Sequence, residues 1–195
     1  MKKSEQTRAF IIEKTAPIFN SKGYVGTSLT DITEATKLTK GSIYGNFANK
    51  DEVAIAAFEY NLRKVNLILG NELAKHTSAK DKLLAYGKVY VDFEKHPFPS
   101  GGCPILNTAT ESDDTHPALK TKVAAAINGW KNKIINILEE GIRNKEFKRN
   151  INLEQVAITI IALIEGGIMI SRTTNKASYR TAIMNSLEEY INQLE

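Results

Sequence analysis

Thr39-Lys-Gly-Ser-Ile-Tyr-Gly-Asn-Phe47 decides the fold, because its two large aliphatic and aromatic anchors, Ile43 and Phe47, stand four residues apart. Residues at that spacing share one face of a helix. They can bury while Thr39, Lys40, Ser42, Tyr44 and Asn46 face outward. Upstream, Ser28 with Asp31 three residues on marks a capped helix start. That helix carries Leu29, Ile32 and Ala35 inward and ends near Thr36. Only Lys37-Leu38 separates the two helices, which is helix-turn-helix spacing. The start of the second helix presents free N–H groups, a partial positive charge and Lys40, all suited to phosphate. Gly41 lets a duplex approach the backbone closely, and Asn46 can bond a base edge in either direction. A solvated polar helix face would show the same residue types.

Charge is distributed in keeping with that reading. The 195 residues have a formal net charge of +4. Residues 1–50 hold eight Lys/Arg against Glu5, Glu13, Asp31 and Glu34, and the rest of the chain is balanced. A basic excess confined to one segment is what a polyanion-binding module needs. Cys103 is the only cysteine, so no intramolecular disulfide can form and a reducing cytoplasm fits. Met1–Phe10 is charged and lacks the apolar core of a signal peptide. The most apolar run, Val156–Ile170, falls short of the roughly 20 residues that span a bilayer and reads as a buried helix.

Outward from the opening segment, the sequence reads as all-α, with about nine helices. The first covers about Lys3–Ser21, with Ile12, Thr15, Ala16 and Phe19 on one face and Pro17 expected to kink it or remove a hydrogen bond. Residues 21–26 read as a loop. Asn49 caps a fourth helix to about Ala74, and Ser78 caps a fifth to about Lys95. The proline- and glycine-rich run 96–104 forbids regular structure. A sixth helix follows at about Pro104–Ser112, and a seventh begins at Pro117. Its apolar stripe runs from Leu119 through Trp130 to Ile142 near a 3.6-residue period. Asn152 caps the eighth helix, and the ninth covers about Ala177–Leu194.

The runs Gly23-Tyr-Val-Gly-Thr-Ser-Leu-Thr-Asp-Ile32 and Leu38-Thr-Lys-Gly-Ser-Ile-Tyr-Gly-Asn-Phe-Ala-Asn-Lys-Asp-Glu-Val53, with Ala35 between them, resemble the TetR family of bacterial repressors. The resemblance spans about residues 8–58. It implies an N-terminal helix-turn-helix domain, residues 1–50, and a ligand-binding and dimerisation domain, residues 51–195. It implies phosphate contacts from Thr27, Ser28, Tyr44 and Lys50. Thr39, Lys40, Gly41 and Ser42 would open the recognition helix, with Asn46 where the family often has histidine. Two positions depart from the pattern. Lys37 replaces the usual turn glycine, so a left-handed backbone there would be strained. Gly45 stands where many members carry a contacting side chain.

Other chemistry is sparse. His76, His96 and His116 lie in loops or at helix ends with no partner at ligand spacing, so no metal or other cofactor is expected. No nucleophile elbow, phosphate loop or dinucleotide fingerprint appears, and an enzyme is not expected. Cys103 follows Gly101-Gly102 and precedes Pro104, so it sits at a helix start, where a thiol pKa falls. That arrangement resembles a family branch that senses electrophiles or oxidants, and a small buried hydrophobe is the other reading. Tyr90, Phe93, Leu106, Trp130 and Met169 are expected to line a ligand cavity, or to be plain core, and Glu165 reads as a buried acid. Helix 8 is apolar nearly all round, so one face needs the core and the other a partner. The sequence is therefore read as a homodimer through helices 8 and 9. It would repress palindromic double-stranded operator DNA and be released by a small-molecule inducer, with no membrane involved. Rival readings are redox sensing through Cys103 and a ligand-independent DNA-binding protein.

Overall fold

The computed structural model describes residues 3–91 and 96–195. Among these, nine α-helices form and no strand does: α1 (Lys3–Gly26), α2 (Leu29–Thr36), α3 (Lys40–Tyr44), α4 (Lys50–Leu73), α5 (Ala79–Val91), α6 (Pro104–Ser112), α7 (Pro117–Arg143), α8 (Leu153–Thr174) and α9 (Ala177–Asn192). They gather into two compact units, Met1–Val65 with Phe98–Ala125, and Asn66–Pro97 with Ala126–Glu195. The first unit contains the whole of segment 1–50. It adds the first part of α4, all of α6 and the start of α7.

The core of the first unit joins α1, α2, α3 and α4. Ile11, Ala16 and Phe19 meet Ile32, Ile43, Phe47, Val53, Ala54 and Ala57. Thr15, Ala16 and Phe19 are buried as expected, whereas Ile12 stays at the rim and Ile11 is fully buried in its place. Pro17 does not interrupt α1. The break comes at Gly23 instead, where φ is +74°, a value that favours a residue without a Cβ. The loop expected over 21–26 is therefore mostly a helix end with one kink.

α2 starts as read from the sequence. The Ser28 hydroxyl accepts from the Asp31 N–H, and the Asp31 carboxylate accepts from the Ser28 N–H. It ends on Lys37 at φ 57°, ψ 23°, the left-handed conformation foreseen for that position. α3 is shorter than expected. Thr39 is its cap, and the helix stops at Tyr44 because Gly45 and Asn46 are weak helix formers.

In the second unit, α8 packs on α9 and α5. Ile160, Ile164, Gly167, Ile168 and Ser171 form its inner stripe. Its 22 residues are long and apolar enough by length and composition to cross a membrane, so the shortness read from the sequence does not hold. What marks it as a core helix is its packing and its polar start. Asn152 caps it, and Lys131 pairs with Glu154 at 2.5 Å.

The strain at Lys37 is directly testable. Lys37→Gly is expected to stabilise the fold by about 1 kcal/mol, because glycine adopts φ near +57° without a Cβ clash. In thermal unfolding that corresponds to a rise of roughly 2–4 °C.

Candidate nucleic-acid interface

α3 has five residues, and its position is set from both ends. The Thr39 hydroxyl accepts from the Ser42 N–H at 3.2 Å, satisfying one of the free donors at the helix start. Ile43 and Phe47 are buried and pin its inner face. Thr39, Lys40 and Gly41 are exposed, and Ser42, Tyr44 and Asn46 are half-buried. A Cβ placed on Gly41 would find nothing nearer than the Thr39 Oγ1 at 4.0 Å. Gly41 also lacks a positive φ, so neither packing nor backbone geometry within the chain requires glycine there. The Asn46 amide donates to the Ser42 carbonyl at 2.9 Å, which orients that side chain along the helix.

Arg8, on α1, holds the far end of this helix. Its guanidinium donates to the Asn46 carbonyl at 2.5 Å and to the Glu52 carboxylate at 2.6 Å, and it lies 4.0 Å from the centre of the Phe47 ring. Glu52 also accepts from the Ala48 N–H. That backbone donor first, and Arg8 second, hold its carboxyl below the usual range. At the start of α4, the Lys50 ammonium rests 4.4 Å from the centre of the Tyr24 ring. The Tyr24 hydroxyl donates to Asp51, and this bond and burial push its pKa up to about 12. His116 closes the group. Its ring meets Tyr24 edge-on at 4.5 Å, its Nε2 lies 3.7 Å from Asp51 Oδ1, and its Nδ1 accepts from the Leu119 N–H at the start of α7.

The turn from α1 into α2 is fixed from α6. The Glu111 carboxylate accepts from the Tyr24 and Val25 N–H groups at 2.6 and 2.8 Å. The positive φ calls for glycine at position 23, and a Cβ there, 2.5 Å from this carboxylate, would also push Glu111 away from the two N–H groups. Asn107 of α6 donates to the Asn20 carbonyl at 2.9 Å. Ser28 is exposed, whereas Thr27 departs from its expected phosphate role. Thr27 is fully buried, and its hydroxyl turns back to donate to the Gly23 carbonyl at 2.6 Å. No atom of that side chain is accessible.

The expected ligand-site residues are divided between the two units. Tyr90 and Trp130 come together in the second unit, with ring centres 5.3 Å apart. Cys103 and Leu106 belong to the first unit, where Cys103 caps α6 and is 1% exposed. Phe93 lies outside the described residues. Met169 is 50% exposed, whereas Glu165 is half-buried with its carboxylate Oε2 shielded from solvent, in keeping with the acid read from the sequence. Met169 lies on the outward stripe of α8 with Ile158 and Ala162, because the inner stripe takes positions 160, 164, 167 and 168.

The profile described as "Bacterial regulatory proteins, tetR family" matches residues 11–57, and "Tetracyclin repressor-like, C-terminal domain" matches residues 79–187. The chain belongs to the TetR family. Two solved TetR-family regulators extend the likeness over the whole chain. One, from Cytophaga hutchinsonii, is 49% identical with a TM-score of 0.97, covering 100% of this chain and 98% of that one. Another, from Chloroflexus aurantiacus, is 38% identical with a TM-score of 0.93, covering 99% and 98%. YxaF, an uncharacterised helix-turn-helix regulator of Bacillus subtilis, is 25% identical over 86% of this chain and 85% of its own length. TetR-family proteins are helix-turn-helix transcriptional regulators that bind operator DNA, and they are not enzymes.

Arg8 and Glu111 were not singled out in the sequence. Their partners lie 38 to 87 residues away, beyond the reach of any local spacing rule. If Arg8 pins α3, Arg8→Ala should destabilise the protein by about 1–2 kcal/mol, a charged hydrogen bond discounted for partial exposure. Chemical denaturation measures this. A loss under a few tenths of a kcal/mol would show that α3 is held without it.

Proposed function

We propose that this protein is a ligand-responsive repressor that binds palindromic operator DNA as a homodimer in the cytoplasm and releases it when a small-molecule inducer binds. The observation that carries the DNA-contact assignment is the open, capped start of α3. Lys40 and Thr39 are exposed there, and Gly41 is a glycine that the fold itself does not require. A phosphate or base edge approaching that backbone supplies the missing reason. Ser28, Ser42, Tyr44, Asn46 and Lys50 complete the contact surface, and Thr27 is left out because it is buried.

The dimer reading rests on α8. Its outward stripe leaves Ile158 44% and Met169 50% exposed, with Ile170 beside them at 38%. Apolar side chains grouped on one face of a core helix suit a partner helix. A second chain related by a two-fold axis would place two recognition helices about 34–36 Å apart, one turn of the duplex. Inducer binding then favours a dimer in which they no longer match successive grooves. Glu111 and Asn107 give α6 a grip on the end of α1 and on the turn that presents Ser28, so a shift of α6 would move the DNA-reading helices. Sensing through Cys103 finds less support, because a thiol 1% exposed reacts only when its loop opens.

Binding assays against the cognate operator test the contact surface. Gly41→Ala should keep or raise fold stability, by up to about 1 kcal/mol, while lowering operator affinity. Lys40→Ala should lower affinity and reduce the salt slope of binding by about one. Operator binding unchanged in both variants would refute the contact assignment. Separately, Met169→Glu is expected to give a monomer in sedimentation, and an intact dimer would remove α8 from the interface.

A further inference from the structure

Lys50 opens α4, and its ammonium rests 4.4 Å from the centre of the Tyr24 ring. Among the described residues no carboxylate pairs with it. Two other basic residues of the same unit are held differently. Lys22 pairs with Asp31 at 2.5 Å, and Arg8 with Glu52 at 2.6 Å. A carboxylate partner offsets a cation's attraction for phosphate. An aromatic face holds the cation and leaves its charge whole.

The acid next to Lys50 along the chain, Asp51, is engaged elsewhere. Its carboxylate accepts from the Tyr24 hydroxyl, and its Oδ1 lies 3.7 Å from His116 Nε2. Tyr24 thus acts on Lys50 twice. Its ring holds the ammonium, and its hydroxyl engages the acid that would compete for it. Phenylalanine at position 24 would supply the first effect and not the second. The tyrosine is itself fixed by neighbouring elements. Glu111 of α6 accepts from its N–H at 2.6 Å, and the His116 ring meets its ring edge-on at 4.5 Å. Ordering a lysine side chain costs rotamer freedom. Where a fixed ring already holds the ammonium, less of that cost remains when a phosphate arrives.

We propose that Tyr24 is a positioning residue for DNA binding, whose ring holds the Lys50 ammonium ready for a phosphate and whose hydroxyl keeps Asp51 from pairing with it. This rests on the assignment of Lys50 as a phosphate contact and adds the residue that prepares it.

A palindromic duplex selected by the wild-type protein from a random-sequence library serves as the probe, with affinity read by fluorescence anisotropy. Lys50→Gln is expected to weaken binding several-fold and to lower the salt slope by about one. Tyr24→Leu should weaken binding about threefold, the size of an exposed cation–π contact, and should add nothing to Lys50→Gln. Tyr24→Phe keeps the ring and frees Asp51, so it should weaken binding about twofold, the size of a surface ion pair, and should cost nothing when combined with Asp51→Asn. The Phe arm decides the matter if Tyr24→Leu does not fold. A Tyr24→Leu loss that is as large with Lys50→Gln as without it would overturn the proposal and leave Lys50 as a contact. So would a Tyr24→Phe variant that binds like wild type, or whose loss Asp51→Asn does not remove. Binding unchanged by Lys50→Gln would overturn the proposal and the phosphate assignment together.

Discussion

A helix of five residues closes too few internal hydrogen bonds to hold its own shape, so α3 takes its position from what it is pinned to. Three constraints supply it. Ile43 and Phe47 sink into the core formed by α1, α2 and α4. Thr39 caps the first turn. Arg8 bridges the Asn46 carbonyl, the Phe47 ring and Glu52, which joins the end of α3 to the start of α4 through one side chain. The polar groups at the start of α3 are thereby placed by a rigid frame and not by the helix itself. Precise placement of that kind is what base and phosphate contacts require.

The frame does not end with the N-terminal fifty residues. α6 reaches α1 through Asn107 and the α1–α2 turn through Glu111, and α7 meets α1 and α4 through His116. These bonds bind the reading helices to helices that the sequence assigns to the other function of the chain. The compact unit therefore takes in Phe98–Ala125, far along the chain. Within this unit the connection is built from carboxylate and amide hydrogen bonds to backbone groups.

The parts of the molecule that were legible in the sequence are those decided locally. Ser28 with Asp31, Asn152 before α8 and Pro104 at the start of α6 are short-range signals, and each helix begins where they placed it. The left-handed Lys37 was also foreseen, through the resemblance, because it stands where the family usually has a turn glycine. Long-range geometry was not. Arg8 finds its partners across 38 and 44 residues. The burial of Thr27 depends on a hydrogen bond to a carbonyl freed by the kink at Gly23. Met169 was read as pocket lining because helix 8 is apolar on all sides, and apolarity alone does not say which face turns inward. The likeness to known families covers what local rules miss in the fold, but leaves individual side chains to the geometry.

Hydrogen–deuterium exchange of the full-length protein, with and without palindromic operator DNA, tests most directly whether the pinned α3 is the reading element. The account predicts that protection on DNA binding concentrates in residues 39–50, with a smaller effect at 27–31, where α2 begins. Unchanged exchange across residues 39–50, with protection appearing elsewhere in the chain, would contradict it.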